Sequence, residues 1–132
     1  MTLRAVPQGV GVGQMNAIQG SPSSVSLTAL AVGNVQNSVI CPSDFVFVTA
    51  ATGSFLAITL PDPNKYGGTQ GDIFTVVNAN SGQNLSVFPP VGGNISNAGA
   101  NSANTLTNNK VNNYYLVSFT ATTSVWTVDA GA

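Results

Sequence analysis

Acid–base and metal chemistry need histidines, carboxylates or thiols brought together in groups, and this chain offers few of them. Its 132 residues include four aspartates (Asp44, Asp62, Asp72, Asp129), two lysines (Lys65, Lys110), Arg4 and one cysteine, Cys41, with no histidine and no glutamate. Asp62 and Asp72 flank a Gly-rich loop at residues 64–71 and are the one pair that could approach as two glycosidase carboxylates do. A local role accounts for them better. Asp62 stands between two prolines in a turn, and Asp72 opens a strand, where aspartate often accepts backbone N–H groups.

Asp62-Pro63-Asn64 offers oxygen ligands to Ca²⁺, but lacks the longer ligand series ending in an acidic residue that an EF-type loop requires. Residues 9–13, Gly-Val-Gly-Val-Gly, lack the Lys-Ser/Thr and the strand-then-helix setting of a phosphate-binding loop. Cys41 excludes an intrachain disulfide and reads as a small buried hydrophobe. Asn84-Leu85-Ser86 and Asn94-Ile95-Ser96 match a glycosylation acceptor by chance in a chain rich in Asn and Ser. Tyr114, Tyr115 and Trp126 could make a sugar-stacking platform. Tyr114 and Tyr115 are adjacent, however, so they point to opposite sides of a strand and only one belongs to the core. We expect no catalytic residue, no cofactor, no bound metal and no enzymatic activity.

Hydrophobic residues make up 43% of the chain while charged ones make up 5%, far below an ordinary globular surface. Asn, Ser, Thr and Gln carry the polar role instead, and they hydrogen-bond without the desolvation cost of a charge covered by another subunit. Such a surface suits permanent burial against partners. A net charge of −1 and no cluster of Lys or Arg argue against nucleic acid as a partner. No apolar run approaches the roughly 20 residues that span a bilayer, and the start lacks the apolar region of a signal peptide. The expectation is a soluble chain made inside a cell, with no membrane partner.

The elements that hold these residues read as strands. Residues 1–33 are rich in Gly, Ser, Gln and Pro without a sustained period and read as an extended N-terminal arm or loose strands, leaving 34–132 as a β domain. Within the domain, residues 44–49, 55–60, 72–78 and 84–88 are dense in aromatic and β-branched residues between turn sequences, and 72–78 with 84–88 reads as a hairpin. In 55–60, Leu56, Ile58 and Leu60 form the expected core face. Residues 94–113 are Asn-rich, pinned at Ile95, Leu106 and Val111. Residues 114–119 and 124–128 form a last hairpin. No helical stripe is present, so the fold expected is all-β: a small antiparallel sandwich or jelly-roll-like barrel with an extended N-terminal arm. Phe45, Phe47, Phe74, Phe88, Tyr114, Tyr115 and Trp126 are its core or interface aromatics.

The order of these punctuating residues resembles a module of tailed-bacteriophage virion proteins. Its marks here are Leu60-Pro61, Gly71-Asp72 through Val77-Asn78, Leu85 through Pro89-Pro90, Gly92-Gly93-Asn94-Ile95, and the aromatic hairpin from Tyr114 to Trp126. The resemblance covers over half the chain and implies a capsid decoration (cement) protein on the outer surface of the virion, synthesised in the host cytoplasm. It also implies a homotrimer and the major capsid protein as partner. The arm lies outside the module; its apolar residues Leu3, Val6, Val10, Val12, Met15 and Ile18 are the expected capsid contacts. A head- or tail-fibre adaptor that binds a host glycan is the alternative the same resemblance allows.

Overall fold

A computed structural model describes residues 23–28, 36–37, 39–52, 56–79 and 82–130 of the chain. The expected contacts at Leu3, Val6, Val10, Val12, Met15 and Ile18, and Phe55 of the expected core strand, lie outside the described residues.

The chain is an all-β sandwich. Its elements in order are β1 (Ser23–Thr28), β2 (Phe45–Thr52), β3 (Ala57–Thr59), a single helical turn α1 (Pro63–Tyr66), β4 (Ile73–Asn78), β5 (Leu85–Phe88), β6 (Asn94–Ile95), β7 (Asn104–Leu106), β8 (Lys110–Phe119) and β9 (Ser124–Ala130). One sheet has six strands in the order β1-β2-β4-β8-β9-β6; the other has three, β3-β5-β7. Their facing sides interdigitate. The larger sheet contributes Val46, Val48, Phe74, Val76, Tyr114, Leu116 and Trp126, and the smaller contributes Ile58, Leu85, Val87 and Leu106, all in one buried cluster. Trp126 is fully buried, with Phe74 edge-on to it at a centroid distance of 5.8 Å. An indole of this size removes roughly 150–250 Å² from water, an upper estimate of about 4–6 kcal/mol. Its N–H donates to Ser124 Oγ at 2.9 Å, so no polar atom of the indole is left unpaired.

One polar knot stitches the two sheets. The Tyr114 hydroxyl, on β8, donates to Asn104 Oδ1, on β7, at 2.8 Å, and Asn112 Nδ2 donates to both at 3.0 and 3.2 Å. Such groups are tolerated in a core because each is satisfied.

Several expectations need correction. The strands at 72–78 and 84–88 do not form a hairpin: β4 pairs with β2 and β8, while β5 lies in the other sheet between β3 and β7. The connection crosses between layers, and the buried Asn78 side chain anchors the crossing by donating to the carbonyls of Gln83 and Leu106 at 2.8 and 3.0 Å. The sheets are mixed rather than antiparallel throughout. β1–β2, β2–β4, β3–β5 and β6–β9 are parallel, and β4–β8, β5–β7 and β8–β9 antiparallel. Parallel β1 and β2 require a long crossover. Its described residues 39–41 run alongside β3, where Ile40 bridges to Thr59 and Cys41 N–H donates to the Thr59 carbonyl at 2.9 Å. Ala57 and Thr59 are therefore buried too, as well as Leu56, Ile58 and Leu60.

Within the stretch read as arm, residues 23–28 form the edge strand β1. Ile95 and Leu106 do pin the Asn-rich segment into the core, but Val111 belongs to β8 and faces away from it. The hairpin expected at 114–119 and 124–128 is β8–β9, with a bulge between Leu116 and Ser118.

Candidate interaction surface

The residues with chemical potential are occupied by structure. Asp62 caps α1, its Oδ1 accepting Asn64 N–H at 3.0 Å, and Gly67 closes the turn in the left-handed region at φ 75°. Asp72 Oδ2 accepts Thr69 N–H at 2.8 Å and the Tyr66 hydroxyl at 3.0 Å. Burial, then the Asp72 hydrogen bond and the negative charges of Asp72 and Asp62, push the Tyr66 phenol above its usual range. Each carboxylate thus holds a turn together, as its sequence setting suggested. No group of three His, Cys, Asp or Glu able to hold a metal occurs among the described residues. Cys41 is buried in the core cluster, and desolvation pushes its thiol up to about 12. That leaves no thiolate at neutral pH.

The aromatic platform does not form. Tyr114 and Trp126 are fully buried, and Tyr115 alone of the three reaches the surface. Phe74 is also buried, Phe47 and Phe88 half-buried, and Phe45 exposed.

What the fold brings together is the outer face of the six-stranded sheet. Because side chains alternate along a strand, burying Val46, Val48, Phe74, Val76, Tyr114 and Leu116 turns Phe45, Phe47, Ile73, Val77, Val111 and Tyr115 outward. Register aligns them in rows. Phe47, Val77 and Val111 stand side by side; Phe45 lies beside Thr75, Asn113 and Asp129; Ile73 lies beside Tyr115 and Thr127. The Phe45 and Phe47 rings touch at 5.1 Å, and Thr75 Oγ1 donates to Asn113 Oδ1 at 2.7 Å, which ties the central polar pair together within the face. Phe45, Ile73 and Val117 remain 36%, 47% and 41% exposed. Asp129 is the only charge in these rows, three strands from Phe45, or about 14 Å at ordinary strand spacing. From the same spacing the rows, polar members included, cover on the order of 300 Å². No described element packs on it.

Sequence reasoning named Phe45, Phe47 and Tyr115 but not Ile73, Val77 or Val117. The alternation of each strand held the signal; the strand order that sets Phe47 beside Val77 and Val111 did not show in it.

Among the described residues, the sandwich leaves one nearly uncharged sheet face uncovered. Comparison of this chain with protein-family models, with curated proteins and with solved structures returned no match.

Proposed function

We propose that this chain is a non-enzymatic structural virion protein of the tailed-phage kind: a decoration protein that binds the outer surface of a capsid, associates with its own copies as a trimer, and stabilises the shell. The observation that carries the reading is the outer sheet face. Two apolar rows flanking a hydrogen-bonded Thr75–Asn113 pair, with one peripheral charge, can be covered without stripping water from more than one ion.

The residues that carry the virion resemblance stand at junctions of this fold. Leu60-Pro61 follows β3, Gly71-Asp72 precedes β4, Pro89-Pro90 ends β5, Gly92-Gly93 leads into β6, and Tyr114 and Trp126 lie in the β8–β9 hairpin. Their spacing is thus a spacing of folding requirements, which supports a shared architecture. The fibre or adaptor alternative loses its proposed glycan platform with the burial of Tyr114 and Trp126.

Reconstitution tests the proposal. Capsids prepared without this chain should bind the purified protein to saturation and withstand a higher temperature once decorated; failure to bind bare capsids would overturn it.

A further inference from the structure

Not all the exposed apolar side chains lie on the outer sheet face. Ile40, Tyr66 and Val91, 44%, 39% and 60% exposed, line one open cleft of about 460 Å³, with Asp62 and Lys65 among its walls. This is within the volume range of ligand sites. Asp62 spends Oδ1 on Asn64; its Oδ2 has no partner among the described residues, and no ion pair joins it to Lys65. The cleft therefore presents aliphatic and aromatic walls beside a carboxylate oxygen with capacity to spare.

The chain before β1 starts from the same end of the sandwich. Ser23 pairs with Val46 near the start of β2, and Ile40 lies a few residues before that start, so Ser23 stands within about 25 Å of the cleft by chain reach and strand spacing. The segment from Arg4 to Pro22 spans up to about 60 Å when extended, more than enough to return. Its composition complements the cleft: Arg4 is the only charged side chain in residues 1–43, and Leu3 and Val6 flank it.

We propose that the cleft receives the chain's own N-terminal segment, with Arg4 on the Asp62 carboxylate and Leu3 and Val6 against Ile40, Tyr66 and Val91. The inference does not rest on the virion reading, and it withdraws Leu3 and Val6 from the capsid contacts that reading expects. Arginine matches a carboxylate with a planar pair of donors, and the tether raises the effective concentration of the segment at the cleft.

Disulfide trapping tests it, because Cys41 is buried and leaves little background. In dilute full-length protein, the pair Ala5→Cys and Val91→Cys should close an intrachain disulfide under mild oxidation. The pair Ala5→Cys and Thr107→Cys should not, since Thr107 lies beyond β7 near Lys110, at the opposite end of the sandwich. Asp62→Asn keeps a good helix cap while removing the charge. Either it or Arg4→Ala should lower the trapping yield several-fold, and together they should lower it little further. A yield no greater than the Thr107 control would overturn the proposal, as would covalent dimers in place of the intrachain bond. Indifference to Asp62→Asn would overturn the ionic contact.

Discussion

Replacing Ile73 by aspartate should separate association from folding. Full burial of an isoleucine side chain contributes roughly 1.5–3 kcal/mol, and with 47% of Ile73 exposed in the single chain, about 1 kcal/mol is still to be gained when another chain covers it. An aspartate there would also be desolvated without a partner, costing about 1–3 kcal/mol more. The sum, about 2–4 kcal/mol per contact, weakens association roughly 30- to 1,000-fold. Folding should suffer much less, because the side chain is on the outer face and strand preferences differ by only about 1 kcal/mol. Sedimentation velocity across a concentration series, beside thermal melting, reads both quantities. The expected result is loss of the oligomer with a melting temperature lowered by only a few degrees. An Ile73→Asp variant that associates like the parent, or a parent that stays monomeric at the highest concentration, would refute the assignment of this face.

Three further outcomes follow from the interior. Tyr114→Phe removes the hydroxyl that ties Asn104 to Asn112 across the sheets, and should cost about 1–2 kcal/mol in urea unfolding at unchanged slope. Gly92→Ala should cost more, over about 2 kcal/mol: Gly92 has φ 85°, and a Cβ there would run into the Thr122 carbonyl oxygen. Stability should also fall at high pH. The folded Cys41 thiol titrates at about 12 against an ordinary value of 9.0, so its contribution is complete below pH 9 and is lost as pH rises from there through about 12. Cys41→Ala should flatten that alkaline decline, as measured by denaturant midpoints against pH; an unchanged decline would mean that Cys41 does not contribute to it.

Strand existence and facing were legible because alternation is local. Val46 and Val48 against Phe45 and Phe47, or Tyr114 against Tyr115, declare which side is buried as soon as one side is known. The β8–β9 hairpin was legible because its partners are joined by a short turn. Partnership across longer distances was not. Residues 72–78 and 84–88 look like a hairpin from their spacing, yet the connection changes sheets, and what fixes it is Asn78 reaching the Gln83 and Leu106 carbonyls. The parallel neighbours of β2 come from separate parts of the chain, so no local pattern records them. The helical turn α1 escaped because it is four residues long, too short for any periodicity. The candidate surface was half visible for the same reasons: its aromatics stand out in composition, whereas its extent depends on strand order.

The proposed role, a chain that coats a capsid, is tested most directly by its copy number in purified virus particles. Quantitative mass spectrometry of such particles should find it at a fixed, whole-shell ratio to the major capsid protein. A handful of copies per particle, or none, would contradict the account.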